Sequence, residues 1–239
     1  MIDHVTFGVA DVEAARAFYD AALGPLEIPA TRGSEYLEWG DISIARTPGR
    51  AVTRGVHLAF AARSQTHVDA FWRAATAAGG IDNGPPDLRS YHPKYFGAFV
   101  NDPAGNNIEA VFHGEERLLP GRIDHMNLKV RDVSRSLLFY ESVLATLGIE
   151  RVGYAPHGFA GGGSHFFIDQ ARPSENVHLA FTAADDAAVE AFWEVGTGLG
   201  AIDNGPPGER HYSPGYYAAF LLDPDGNNVE AVSHNRPRT

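Results

Sequence analysis

The sequence predicts an α+β protein of two tandem domains, each built from two strand–helix–strand units, and three observations carry that expectation. The chain repeats itself: IDHVTFGVADVEAARAFY at Ile2 to Tyr19 matches IDHMNLKVRDVSRSLLFY at Ile123 to Tyr140, and DPAGNNIEAV at Asp102 to Val111 matches DPDGNNVEAV at Asp223 to Val232. All the matches share one register of 121 positions, the distance from residue 4 to residue 125. That period is too long for a solenoid and about right for a small domain. Within each half, apolar residues alternate at period two, then recur at helical spacing, and then repeat the sequence of patterns.

With 239 residues, the chain divides into a first domain over 1–113, a linker over 114–122 and a second domain over 123–235. The linker reads GEERLLPGR, charged and carrying Pro120 and Gly121. The elements follow in order. Val5, Phe7 and Val9 alternate with His4, Thr6 and Gly8, the mark of a strand with one packed face and one face turned elsewhere. Asp11 to Leu23 begins with a capping residue and spaces Val12, Ala15, Phe18, Tyr19 and Ala22 as a helix does. Short strands are expected around Tyr36 to Trp39 and Ile42 to Ala45.

The pattern then restarts. VHLAF at Val56 to Phe60 reads as a strand, Thr66 to Ala78 as a helix and IDNGPP at Ile81 to Pro86 as a loop. Tyr95 to Val100 and Asn107 to Phe112 read as strands joined by the turn DPAGN, whose Pro and Gly suit a tight hairpin. The second half repeats this plan, giving four units in all.

Composition narrows the function classes. A formal charge of −11 argues against a partner gripped by its phosphate backbone, so no nucleic acid is expected. The absence of cysteine excludes disulfides and thiolate chemistry. No apolar run approaches the roughly 18 residues of a membrane span, and no leader pattern opens the chain, so a cytoplasmic protein with no membrane partner is expected. Tandem domains can stand in for a dimer of single ones, so a monomer or a homodimer is expected.

The same register holds the residues with ligand chemistry: His4, His57 and Glu109 recur as His125, His178 and Glu230. Each falls on the less apolar face of its strand. If the units of a half curl into a cup, His4, His57 and Glu109 meet inside it, and His125, His178 and Glu230 meet in the second cup. Two imidazoles and a carboxylate with open positions suit a divalent metal such as Fe, Mn, Ni or Zn and a small-molecule substrate with two neighbouring oxygens.

The DH start of the first strand, the VHLAF strand and the DPxGNNxEAV hairpin together resemble the vicinal oxygen chelate superfamily, which includes glyoxalases, extradiol dioxygenases, fosfomycin-modifying enzymes and bleomycin-binding proteins. The resemblance covers nearly the whole chain. It implies paired βαβββ modules forming a half-open barrel in each domain, and a divalent metal held by the two triads. It also implies that Glu109 or Glu230 can take a proton, as in glyoxalase-like chemistry.

Departures from the family pattern narrow the chemistry. Glyoxalases carry a further carboxylate near the end of the first unit, whereas DISIAR at Asp41 to Arg46 offers no inward Glu; His165 occupies the matching strand of the second half. Extradiol dioxygenases place a His and a Tyr ahead of DPxG. His92 stands at about that distance, but the Tyr position holds Phe99 and Phe220, leaving Tyr91, Tyr95, Tyr212 and Tyr216 as neighbouring substitutes. The catalytic candidates are therefore Glu109, Glu230, His92, Tyr95 and Tyr216, with Arg89 and Arg210 as partners for an anionic substrate.

The halves also differ from each other. His92 faces Ser213, Trp39 faces Ala160, and Thr6 and Gly8 become Asn127 and Lys129. Two functions fit: a metal-dependent enzyme of the glyoxalase or dioxygenase type, or a metal-independent protein that sequesters a drug or natural product on aromatics such as Trp39, Trp72, Phe99, Tyr95, Trp193, Tyr217 and Phe220.

Overall fold

A computed structural model describes residues 1–32, 37–46, 51–116 and 122–235. Tyr36 and residues 117–121 of the expected linker lie outside the described residues. Four βαβββ units follow one another. The first comprises β1 (Ile2–Val9), α1 (Val12–Leu23), β2 (Ala30–Arg32), β3 (Leu37–Trp39) and β4 (Ile42–Arg46); the second comprises β5 (His57–Ala61), α2 (Gln65–Ala77), β6 (Ile81–Leu88), β7 (Phe96–Asn101) and β8 (Asn107–Phe112). The third comprises β9 (Ile123–Val130), α3 (Val133–Ala145), β10 (Glu150–Arg151), β11 (Gly158–Gly161) and β12 (Ser164–Gln170); the fourth comprises β13 (Val177–Thr182), α4 (Asp186–Gly198), β14 (Ile202–Glu209), β15 (Tyr216–Leu222) and β16 (Asn228–His234).

The strands form two open sheets of eight, ordered β14-β15-β16-β13-β1-β4-β3-β2 and β10-β11-β12-β9-β5-β8-β7-β6. Each sheet therefore joins one unit from each half, the first with the fourth and the second with the third. This corrects the expectation that each half closes its own cup. The seams are antiparallel: β1 on β13, with His4 opposite Ala180 and Thr6 opposite His178, and β5 on β9, with Ala59 opposite His125 and His57 opposite Asn127. The alternating pattern that turns His4 and His57 inward is satisfied by either pairing of units, so period alone does not select the partner.

Apolar faces explain the layering. Val5, Phe7, Leu58, Phe60, Met126, Leu128, Leu179 and Phe181 turn away from the cups into one core that spans both halves and is capped by the helices. Helix α1 starts at Asp11, whose carboxylate accepts from the amides of Glu13 and Ala14; Asp132 does the same for α3. The DPxGN turns are tied to these helices. Asp102 accepts from the Asn106 amide and from the buried Tyr19 hydroxyl at 2.8 Å, and Asp223 and Tyr140 repeat the contact at 2.8 Å. This fixes β8 and β16, which carry the two glutamates.

The expected IDNGPP loop is instead strand, the start of β6, and its copy starts β14. Both are edge strands with irregular register against β7 and β15. An edge tolerates proline because the missing amide proton leaves no ladder partner unmet.

Candidate metal centre

The sheet seams bring the ligand-type residues together in a grouping that the repeat does not suggest. Across β8, β5 and β9, Glu109 lies beside Ala59 and Ala59 beside His125, while the adjoining row sets Asn107, His57 and Asn127 side by side. In the other sheet, Glu230, Ala180 and His4 form one row and Asn228, His178 and Thr6 the next. The small side chain between each Glu and its cross-seam His leaves space over the sheet.

The result is two clusters, His57–Glu109–His125 and His4–His178–Glu230, each with its ligand atoms within 4.8 Å of one another. The expected sets His4–His57–Glu109 and His125–His178–Glu230 are thus corrected: each glutamate keeps the histidine of its own half and takes its second histidine from the other half. His165 belongs to neither cluster. It lies next to His125 in register and stacks on Phe167, with ring centroids 5.9 Å apart.

In the first cluster, His57 Nε2 and His125 Nε2 are 3.0 Å apart, and Glu109 Oε2 lies 3.1 Å from the former and 3.4 Å from the latter. Ligands about 2.1 Å from a shared ion sit about 3.0 to 3.4 Å apart at octahedral to tetrahedral angles, so the residues fit a divalent metal. Glu109 Oε2 is buried and makes no well-formed hydrogen bond, an orphaned acceptor that a cation would satisfy. In the second cluster, Glu230 Oε2 lies 2.8 Å from His178 Nε2 and 3.6 Å from His4 Nε2.

Each ligand is held from behind. Tyr95 donates to Glu109 Oε1 at 2.6 Å, and Tyr216 donates to Glu230 Oε1 at 2.6 Å. Asp124 Oδ1 lies 2.9 Å from His125 Nδ1, and Asp3 Oδ1 lies 2.9 Å from His4 Nδ1, contacts that leave Nε2 facing the cup. The side-chain amides of Asn107 and Asn228 meet Nδ1 of His57 and His178 at 2.9 and 2.7 Å. Ligation through Nε2 leaves Nδ1 protonated and so selects the orientation with the amide oxygen toward the ring.

Behind the aspartates stands a further layer, His113 on Asp124 at 2.9 Å and His234 on Asp3 at 3.0 Å. His92 Nε2 extends the first chain with a 2.8 Å contact to His113 Nδ1; its counterpart in the second half is Ser213.

The electrostatics follow from this wiring. Burial would lower His125, but the Asp124 and Glu109 carboxylates outweigh it and raise the imidazole to about 9. Burial would raise Glu109, and the His125 and His57 imidazoles beside it hold it down to about 2. Asp3 and Asp124 sit well below the usual carboxylate range, burial being overcome by their paired histidines. His4 is raised by Asp3 and Glu230 against its burial.

The cups differ. The one over His57, Glu109 and His125 holds about 870 Å³, walled by Phe99, Phe167, Tyr91 and Tyr154 with Asn127 and Asp169 at one side. The other holds about 460 Å³ and is lined by Thr6, Glu38, Ser43, Tyr212 and Ser213 besides its triad. His92 and Tyr95 line the larger cup and Tyr216 the smaller. Trp39 is buried in the core with its indole on Asp20, which removes it from any binding surface. Lys129 is exposed and lines neither cup. Arg89 and Arg210 do not face the cups as anion partners: their guanidinium groups stack over Phe99 and Phe220 at 5.1 Å and donate to the carbonyls of Gly97 and Ala218.

Sequence reasoning missed Asp3, Asp124, His113, His234, Asn107 and Asn228, although all six obey the same register that exposed the ligands. It also missed Glu38, which has no counterpart in that register because Phe159 stands there.

The family model described as the Glyoxalase/Bleomycin resistance protein/Dioxygenase superfamily matches residues 1–110 and again 122–231. Glyoxalase I from Zea mays superposes with a TM-score of 0.64 at 20% identity, covering 98% of this chain and 92% of its own; its V278E variant gives 0.67 at 20% identity and the same coverage. A candidate dioxygenase of Bacillus subtilis gives 0.65 at 16% identity over 98% of this chain and 85% of its own. These are likenesses of fold. None of the curated proteins matches this chain.

Proposed function

Because the chain belongs to the glyoxalase, bleomycin resistance protein and dioxygenase superfamily, we propose that it is a divalent-metal-dependent enzyme acting on a small molecule with two neighbouring oxygens. His57, Glu109 and His125 hold one ion, and His4, His178 and Glu230 hold another. The observation that carries this reading is the first cluster's geometry: three ligand atoms at mutual distances of 3.0, 3.1 and 3.4 Å, one of them a buried carboxylate oxygen without a well-formed hydrogen bond. Without a metal, only the neighbouring imidazoles of His57 and His125 would face that buried oxygen.

A bound ion would act as a Lewis acid on the substrate's oxygens. The chain's own residues do the rest. Tyr95 and Tyr216 are positioning residues that fix the carboxylates of Glu109 and Glu230 through their hydroxyl protons. Asp124 and Asp3 hold the imidazoles of His125 and His4 in the tautomer that presents Nε2. Glu109 and Glu230 are the groups nearest the reacting centre able to accept a proton, and His92, at the rim of the larger cup, offers an exchangeable proton connected through His113. Each triad is complete within a single chain, so a monomer suffices. No helix among the described residues is long and apolar enough to cross a membrane.

Protein purified without chelator, stripped and titrated with zinc, manganese, nickel or ferrous iron tests the proposal. Two saturable sites per chain, one lost in Glu109→Gln and the other in Glu230→Gln, are expected. Absence of saturable binding, or binding indifferent to both substitutions, overturns it.

A further inference from the structure

We infer that the two cups are not equivalent: the one over His57, Glu109 and His125 takes the organic substrate, and the part of that substrate beyond its metal-facing oxygens is flat and uncharged or cationic, never a carboxylate or phosphate. The inference rests on the metal-site reading above and deepens it.

Size is the first ground, about 870 Å³ against about 460 Å³. Both lie in the range of small-molecule sites, and the larger has nearly twice the room. Shape is the second. In the larger cup Phe99 and Phe167 stand on opposite sides of the triad, their ring centroids 6.0 Å from His57 and 6.1 Å from His125. In the other sheet Phe220 repeats Phe99 beside His178 without lining the smaller cup, and the position in register with Phe167 is Ser43: Thr6 pairs with Ser43 on β4 as Asn127 pairs with Phe167 on β12. One aromatic wall has become a hydroxyl.

Unmet hydrogen bonding is the third ground. Asn107 Oδ1, Asn127 Oδ1 and Glu109 Oε2 are buried without hydrogen-bond partners, and all three residues line the larger cup. The ion and the His57 Nδ1 proton would satisfy Glu109 and Asn107; Asn127 still wants a donor. In the smaller cup Thr6, in the place of Asn127, meets Ser43 at 2.8 Å.

Charge decides the class. No Lys or Arg is among the described residues lining the larger cup, whereas Asp169 stands exposed at its wall beside Asn127, which donates to it at 2.6 Å. Arg89, which the sequence offers as an anion partner, is committed to the Gly97 carbonyl behind Phe99. A carboxylate or phosphate on the substrate's far end would meet Asp169 with no Lys or Arg among the described lining residues to offset it, while a hydroxyl or amine would satisfy Asn127 Oδ1.

Zinc-loaded protein at pH 8, where ordinary histidines are neutral, is titrated calorimetrically with three probes that chelate through adjacent oxygens: benzohydroxamate, its 4-carboxy derivative and its 4-aminomethyl derivative. One equivalent of benzohydroxamate per chain is expected, with the aminomethyl probe binding at least as well and the carboxy probe at least tenfold more weakly. Asp169→Asn, at an exposed position, should narrow that gap severalfold. Two equal equivalents, no binding of any probe to zinc-loaded protein, or a carboxy probe as tight as benzohydroxamate overturns the inference while the metal reading stands. Failure to retain zinc at all would instead refute the metal reading.

Discussion

His57 Nε2 lies 3.0 Å from His125 Nε2, although the two residues belong to different halves of the chain and are each other's counterparts in neither repeat. The contact exists because β5 pairs with β9 across the sheet seam, and it makes both halves necessary for each cluster.

Metal stoichiometry in double variants reads this pairing directly. Glu109→Gln and His125→Ala remove ligands from one cluster, so the double variant should still bind one ion per chain. Glu109→Gln with His4→Ala strikes both clusters and should bind none tightly. The opposite pattern, one ion retained by the second double variant and none by the first, would mean that each half closes its own site.

How far the sequence reveals this site is set by what a repeat can encode. The 121-residue register marks every inward residue of the clusters, because duplication copied whole units and the period-two face of each strand was kept. It cannot say which His4 or His125 meets which glutamate. The first strands of the two halves are so alike that either could pair with β5 or β13, and the choice lies in long-range packing. Phe7 against Val177 and Leu58 against Met126 are contacts between segments that carry no local signature of each other. The IDNGPP strands were hidden for a different reason: Pro and Gly signal a turn locally, and only an edge position in the sheet makes them compatible with strand.

The layer behind the ligands should govern affinity. His113 contacts Asp124 Oδ2 at 2.9 Å, and Asp124 Oδ1 holds His125 Nδ1 at 2.9 Å. His113→Ala leaves Asp124, 2% exposed, with one partner fewer and its imidazole less firmly aimed. Metal affinity at that cluster should fall about 10- to 100-fold, the usual cost of losing such a support, with the other cluster unchanged. His92→Ala, one step further out, should cost less. Competition titration with a chromogenic chelator measures both; an unaltered affinity in His113→Ala would show that Asp124 needs no support.

Gly97 gives the Glu109 carboxylate its room. A methyl there would stand 2.7 Å from Glu109 Oε1 and 3.1 Å from the Tyr95 ring, whereas the corresponding residue of the second half is Ala218. Because the fold already accepts alanine in its copy, Gly97→Ala should cost the apo-protein about 1 kcal/mol, the low end of overpacking a buried site. The displaced carboxylate should nevertheless weaken metal binding severalfold at this cluster alone. Thermal unfolding of the stripped protein and metal titration, run side by side, separate the two effects; a large loss of stability with intact affinity would contradict the assignment.

Acidity should act on the first cluster with a defined sign. In the metal-free protein His125 is raised from 6.5 to about 9, so its contribution to stability is complete below about pH 6.5 and is lost as the pH climbs through 9. Glu109 is lowered from 4.5 to about 2, so its contribution is complete above about pH 4.5 and is lost as the pH falls toward 2. The pair therefore supports the metal-free fold most between about pH 4.5 and 6.5. A metal ion must displace the His125 proton before that nitrogen can bind it, so metal affinity should rise by about tenfold per pH unit between roughly pH 6.5 and 9 and then level off. Zinc titrations of Glu230→Gln protein at several pH values, which isolate this cluster, should show that slope together with release of about one proton per ion bound near pH 7.5, read from calorimetry in buffers of different ionisation heat. An affinity flat across that interval would mean that His125 is already neutral in the metal-free protein and that Asp124 only orients the ring.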